Sequence, residues 1–371
     1  MSAVAKLHQL PRSAKTHPVG AALLDWYDKA RRELPWRMAP GKPADPYAVW
    51  VSEVMLQQTT VKAVIPFYRR FLELWPTVGD LAAASRDDVM RAWAGLGYYS
   101  RARNLHDCAK AVVERHGGQF PRTEAGLLEL PGIGPYTAAA VAAIAFGERA
   151  MPVDGNVERV MARLHAVVTP LPDAKPELKL LAQEFIPNER SGDLAQALMD
   201  LGATVCAPRR PSCMLCPLER SCEGKARGLA AELPYRRAKA ERPTRRGIAF
   251  LALSEGGEVL LRKRPDDGLL AQMMEIPSTR WADDWVAEDE ALEGAPVHAS
   301  WWPVPGIVTH TFTHFRLELI VYRALVPTAA ALTLWASQDR CRWVHRRDLD
   351  REALPSLMRK AIAHGLDGSS R

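Results

Sequence analysis

A five-residue turn, Leu130-Pro131-Gly132-Ile133-Gly134, runs straight into Pro135 and an alanine-rich stretch, and it constrains this chain more than any other segment. Gly132 and Gly134 are expected at positive φ, with amides left unshielded by side chains. Pro135 suits the first turn of a helix. The free amides and partial positive charge at that helix start make a seat for a phosphate. Leu128, Leu130 and Ile133 are expected to fill the small core between the two flanking helices. A carboxylate, Asp154, then stands at the start of the next helix, beside Gly155. The pattern reads as a hairpin that binds a nucleic-acid backbone, with an acid close by.

At 371 residues the chain is long enough for two domains. No apolar run reaches membrane-spanning length, so a soluble protein without a membrane partner is expected. The net charge of +6 favours a polyanionic partner. Before Asp25 there is no acid and no apolar core of a signal sequence, so no secretory signal is expected there. That stretch also has the composition of an organelle transit peptide, but a short flexible tail over 1–18 is the simpler expectation. Four of the six cysteines are bunched together, which argues for a metal site in a reducing, cytoplasmic setting.

From Val19 to His116 the apolar spacing is helical, with a break at Pro35-Trp36-Arg37 and a helix expected over Tyr47–Thr60. Gly95-Leu96-Gly97-Tyr98-Tyr99 is a glycine-punctuated loop. After Cys222 the character changes. Arg236, Arg237, Lys239, Arg242, Arg245 and Arg246, with Pro234 and Pro243, read as a basic linker over 229–246. Beyond it, Gly247–Ser254, Glu258–Arg264 and Phe315–Leu325 read as strands, and a helix is expected near Pro355–His364. The expected fold is a mainly α-helical core over 19–228 followed by a smaller α+β domain over 247–366.

Cys206-x6-Cys213-x2-Cys216-x5-Cys222 is the most specific spacing in the chain. Four thiolates on one short loop can ligate a [4Fe–4S] cluster. Tetrahedral zinc is the alternative, although zinc sites usually show two close pairs and here only Cys213 and Cys216 are close. Cys108 fits a helical core position.

A second carboxylate, Glu53, lies in Trp50-Val51-Ser52-Glu53-Val54-Met55-Leu56-Gln57-Gln58-Thr59. On a helix it shares a face with Val49, Leu56 and Thr60 and projects into apolar surroundings, which raise a carboxyl pKa. Asp154 is instead expected to carry its charge, because amides and the helix dipole favour it. Two carboxyls in such different environments suggest an acid and an anionic stabiliser.

The hairpin, the Val153-Asp154-Gly155-Asn156 segment and the cysteine spacing together resemble the endonuclease III superfamily of DNA glycosylases, over about residues 20–225. The resemblance implies a helix-hairpin-helix core with a [4Fe–4S] cluster that shapes a basic loop against DNA, in keeping with Arg209, Arg210 and Arg220. Superfamily members that also cut the strand carry a hairpin lysine, which forms a Schiff base with the sugar. Tyr136 stands there, and no lysine lies between Val112 and Val168, which implies a monofunctional enzyme.

The Glu53 segment and Gly95–Asn104 are similar to the MutY adenine DNA glycosylases. So are Arg262-Lys263-Arg264, Gly268-Leu269-Leu270, Glu275-Ile276-Pro277 and His310-Thr311-Phe312-Thr313-His314, which resemble that family's Nudix-like 8-oxoguanine-recognition domain. The family usually has Phe-Ser-His where this chain has Phe312-Thr313-His314, and an aromatic near Met273 is absent. A magnesium-binding Glu-rich box is also missing after Gly268, so binding without hydrolysis is expected of this domain.

The resemblance implies that Glu53, Asp154, Tyr136 and Asn156 carry the chemistry. It implies that Trp36, Arg37, Leu56 and Gln196 line an adenine pocket. Gln57, Gln58, Tyr98, Gly132 and Gly134 would meet the duplex, and Phe312, Thr313 and His314 the lesion. The implied partner is double-stranded DNA with A·8-oxoguanine or A·G mispairs, bound by a monomer whose linker could contact another repair protein. Rival readings are a thymine or uracil mismatch glycosylase, a non-catalytic iron–sulfur DNA binder, and a Nudix hydrolase.

Overall fold

Two helix starts follow from a capping side chain set just before a proline. His17 accepts from the Val19 amide ahead of α1 (Pro18–Ala30), and Asp45 accepts from the Tyr47 amide ahead of α2 (Pro46–Leu56). The computed structural model describes residues 17–237, 241–328, 330–333, 336 and 340–367. The expected tail lies outside the described residues up to residue 16, as does Lys239 of the expected linker.

The helices continue as α3 (Val61–Leu74), α4 (Val78–Ala83), α5 (Arg86–Trp93), α6 (Ser100–His116), α7 (Glu124–Leu128), α8 (Pro135–Phe146), α9 (Gly155–Leu164), α10 (Lys175–Gln183), α11 (Ser191–Thr204) and α12 (Glu223–Ala226). The expected helix over Tyr47–Thr60 stops at Leu56. Gln58 turns left-handed at φ 56°, and Thr60 caps α3 instead of sharing a face with Glu53.

The chain divides into two compact units, Met1–Ala82 with Asp107–Ala238, and Ala83–His106 with Lys239–Arg371. Residues 83–106, grouped with the helical core by sequence, thus cluster with the later part of the chain. Bonds that tie them there include Lys263 to Asp87 at 2.6 Å, and Arg103 Nη1 to the Ala271 carbonyl at 2.8 Å.

In the first unit α8 is the packing centre, touching α2, α7 and α11. Its residues Thr137–Ala143 are at most 1% exposed, and their small side chains let neighbouring backbones approach. Gly147 ends the helix at φ 71°, with the Gly147 and Glu148 amides returning to Ala143 and Ala142. Where α11 crosses α8, a Cβ on Gly192 would meet the Ala143 carbonyl oxygen at 2.5 Å and the Ile144 Cα at 2.7 Å. Further along α11, a Cβ on Gly202 would meet the Asn156 Cβ at 2.6 Å. Gly192→Ala gains up to about 1 kcal/mol of helix propensity. It must push two helix backbones apart, at about 1–3 kcal/mol or more. A lower urea midpoint is the expected net result.

In the second unit β1 (Thr244–Ser254) runs parallel to β6 (Arg316–Val326) over all eleven residues, from Thr244 opposite Arg316 to Ser254 opposite Val326. With β2 (Glu258–Lys263), β3 (Met274–Glu275) and β4 (Trp302–Pro303) they give the order β3-β2-β1-β6-β4. In addition, β5 (Val308–Thr311) pairs with β6, and β7 (Cys341–His345) with β2. Gly247–Ser254 is buried throughout, as expected of a central strand covered on both faces. α13 (Glu288–Glu293) precedes β4, and α14 (Ser356–Asp367) packs on β1, β5 and β6. Glu275, with no exposure, accepts from both Arg262 and Arg264. This anchors the basic run of β2, since a buried carboxylate requires such partners.

Candidate active site

Glu53 lies on a helix with almost no water around it. Val49 to Met55 are all at most 6% exposed. The Tyr136 hydroxyl, in the first turn of α8, donates to Glu53 Oε2 at 2.8 Å. Burial pushes the Glu53 carboxyl up to about 7; the Tyr136 hydrogen bond and Arg37 hold it back, and the charge of Asp154 adds to the rise. Burial, then the charges of Glu53 and Asp154, put the Tyr136 phenol well above its ordinary value. It therefore remains a hydroxyl donor at neutral pH.

Asp154 is the N-cap of α9. Its Oδ1 accepts from the Asn156 and Val157 amides at 2.9 and 2.8 Å, and its Oδ2 from Asn156 Nδ2 at 2.7 Å. Asn156 is held in turn by Arg159, whose Nη2 donates to Asn156 Oδ1 at 2.8 Å and to the Gly202 carbonyl at 2.6 Å. Arg159 Nε donates to the Cys206 carbonyl at 2.8 Å.

These groups open on one cleft of about 850 Å³, which Trp36, Arg37, Leu56, Gln57, Gln58, Gly132, Gly134 and Gln196 also line. Trp36 is buried edge-on to Tyr68. Arg37 is fixed by Asp200, a fully buried carboxylate that also binds Arg32 through its Nε (2.6 Å) and its amide (2.9 Å). Gln196 Nε2 donates to the Gly192 carbonyl at 3.2 Å, and Gln57 Nε2 to Thr137 Oγ1 at 3.2 Å.

At the hairpin, Gly132 has the expected positive φ of 71°. Gly134 does not: at φ −93° it is the extended N-cap of α8 and supplies no capping side chain. The first amides of α8, those of Tyr136 and Thr137 among them, therefore have no side-chain cap. Leu130 and Ile133 fill the core as expected, but Leu128 is 43% exposed.

Tyr98, Phe312, Thr313 and His314 belong to the second unit. There Tyr98, left-handed at φ 48°, brings its hydroxyl to 3.5 Å from Thr313 Oγ1. Phe312 stacks on Trp281 at 5.9 Å, while Thr313 and His314 are exposed.

Cys206, Cys213, Cys216 and Cys222 line one small cavity beside Arg163. Arg163 donates to Cys206 Sγ at 3.3 Å and to the Ala207 and Pro208 carbonyls at 2.8 and 2.9 Å. Among the described residues, no three His, Cys, Asp or Glu side chains gather closely enough for one metal ion. A single zinc would draw its thiolates to about 3.8 Å from one another, given Zn–S of about 2.3 Å. Four thiols around one cavity are a donor set that suits a [4Fe–4S] cluster as well as zinc.

Cleft residues that sequence reading missed include Arg32, Glu158, Lys175, Met199 and Arg236, with Asp200 bound to Arg32 and Arg37 behind them. Of these only Glu158 had a local signal, four positions after Asp154 on a helix face. Among the described residues, no helix is long and apolar enough to cross a membrane.

Two family models match the chain: the HhH-GPD superfamily base excision DNA repair proteins over residues 51–187, and the NUDIX domain over 248–364. The chain is 35% identical to the human adenine DNA glycosylase, over 97% of this chain and 76% of that protein. It is 39% identical to the adenine DNA glycosylase of Mycolicibacterium smegmatis, over 73% of this chain and 88% of that one. A solved thermostable thymine-DNA glycosylase superposes with a TM-score of 0.50 at 29% identity, covering 56% of this chain and 95% of its own. A helix-hairpin-helix core followed by a Nudix-like second domain agrees with these matches, and the chain belongs to the adenine DNA glycosylases, base-excision enzymes that hydrolyse N-glycosyl bonds.

Proposed function

We propose that this enzyme releases adenine mispaired with 8-oxoguanine or guanine by hydrolysis of the N-glycosyl bond, as a monofunctional glycosylase without efficient strand cleavage. The observation that carries the reading is Glu53: a buried carboxyl near 7, in the same cleft as a helix-capping carboxylate. The base must leave the duplex stack to reach such a cleft. Glu53 then gives its proton to adenine N7. The C1′–N9 bond breaks with its electrons moving to the base, leaving an oxocarbenium-like sugar. Asp154 stabilises that cation, and water adds at C1′, its proton passing to the Glu53 carboxylate left by the first step. Tyr136 orients Glu53, and Asn156 orients Asp154.

Trp36, Arg37, Leu56 and Gln196 form the wall for the base, while Gln57, Gln58 and Tyr98 meet the opened duplex. Gly132 and Gly134 leave the hairpin amides open to a phosphate. Phe312, Thr313 and His314 read the lesion, with the Thr313 hydroxyl in place of the family's serine. Strand cleavage would need a free amine at the sugar. The hairpin offers Tyr136, and the one lysine on the cleft wall among the described residues, Lys175, has its ammonium engaged by Glu158 at 3.0 Å.

Cys206, Cys213, Cys216 and Cys222 would hold a [4Fe–4S] cluster, which when bound supplies structural bonding to the loop carrying Arg209, Arg210 and Arg220. A cytoplasmic, monomeric enzyme fits this reading, with the segment after residue 228 open to another repair protein.

Single-turnover assays on A·8-oxoguanine, A·G and G·T duplexes test it. Adenine release from the first two is expected, with an abasic strand cut only after alkali. Thymine release from G·T without adenine release would overturn the reading, as would direct strand cutting at the rate of base loss.

A further inference from the structure

Lys175 and Arg236 reach the cleft by separate routes. Lys175 is the first residue of α10, and its Nζ lies 3.0 Å from Glu158 Oε1. Glu158 stands four positions after Asp154, and its amide closes the first turn of α9 on the Asp154 carbonyl at 2.8 Å. Residues so spaced share a helix face with Cβ atoms about 5–6 Å apart. Lys175, Glu158 and Asp154 line the same cleft.

Arg236 comes from the segment that sequence alone reads as a solvated linker. Its backbone forms a parallel bridge with Leu171: the Leu171 amide donates to the Tyr235 carbonyl at 2.8 Å, and the Arg237 amide to the Leu171 carbonyl at 3.3 Å. That bridge places Arg236 on the same wall as Lys175, Glu158 and Asp154. The charges on this wall are layered. Glu158 is buried at 7% exposure, whereas the Lys175 side chain is 58% exposed and Arg236 is also on the surface. An anion arriving from solvent meets the cations before the carboxylates.

We propose that Lys175 and Arg236 form a phosphodiester grip on the strand carrying the extruded nucleotide, opposite the hairpin amides. Glu158 holds Lys175 in the free protein and gives it up to a phosphate. The grip rests on the reading that Asp154 faces the sugar. The two seats would then hold backbone on either side of the reacting nucleotide.

Salt dependence tests it. The full-length protein is titrated with a duplex carrying a tetrahydrofuran abasic analogue opposite 8-oxoguanine, between about 50 and 200 mM salt, where each phosphate contact adds about 0.9 to the slope of log K against log salt. Lys175→Gln with Arg236→Gln should flatten the slope by about 1.8 and weaken binding about 60-fold at 0.1 M salt. Lys175→Arg should keep the wild-type slope, and Glu158→Gln should tighten binding by removing the competing carboxylate. Lys29→Gln, on the exposed side of α1, controls for charge alone and should leave the slope unchanged. An unchanged slope in the double variant would overturn the grip, as would an equal flattening by Lys29→Gln. Because the analogue carries no base, the outcomes separate. A flattened slope with no adenine release by wild type sinks the functional reading alone; an unaltered slope with adenine release intact sinks the grip alone.

Discussion

Glu53→Gln is expected to slow single-turnover adenine release by about 10²–10⁴-fold, the usual loss when a positioned general acid is removed. Glutamine retains the shape and still accepts the Tyr136 hydroxyl, so binding to the mispaired duplex should remain at the wild-type level. The same residue sets the pH dependence. With its carboxyl at about 7, wild-type release should be constant below pH 7 and fall about tenfold per unit above it.

Stability moves the opposite way. A carboxyl raised on folding costs nothing below its unfolded value of 4.5, where both states are protonated. The cost grows between pH 4.5 and about 7 and is constant above, at about 3 kcal/mol for this shift. Glu53→Gln should therefore be more stable than wild type at pH 8, by up to about 3 kcal/mol, and equal to it at pH 4. Chemical denaturation at the two pH values measures this. A variant that releases adenine at the wild-type rate would remove Glu53 as the acid, and one with no stability gain at pH 8 would deny its burial as a charged group.

Asp154→Asn separates two duties of one side chain. Asparagine caps a helix about as well as aspartate, so the Asn156 and Val157 amides keep an acceptor. The negative charge is lost, with a dipole contribution of about 0.3–1 kcal/mol. Against a cationic sugar at about 4 Å, a unit charge is worth about 4 kcal/mol at an effective dielectric of about 20. That corresponds to about 10³ in rate. Base release should thus fall about a thousandfold while the melting midpoint barely moves. Release within tenfold of wild type would show that the charge at 154 is not what stabilises the sugar.

Where the sequence was legible, the signal was local. Glu53 could be read because apolar neighbours surround it on its own helix, and Asp154 because Gly155 and a helix start follow it. β1, β2 and β6 were found within a few residues from alternation and turns. Misreadings arose where a backbone choice depends on tertiary context. Gln58 takes a left-handed turn that ends α2, so Thr60 becomes a cap rather than part of a face. Gly134 is extended because its role is to start α8, and Leu128 is left on the surface by the short α7. Lys175, Asp200 and Arg236 were illegible for another reason. Each reaches the cleft wall or its support through partners far away in sequence: Glu158, the Arg32–Arg37 pair and Leu171. No periodicity or motif encodes such pairings.

Gly202 illustrates what that means for inherited or laboratory variation. It never faces the cleft, yet the absent side chain is the room in which Asn156 sits, and its carbonyl holds Arg159. A missense change there would mould the neighbour of Asp154 from behind. Such an allele would present as an enzyme that still binds DNA but releases adenine poorly, and a catalogue of variants sorted by distance from the substrate would file it as harmless.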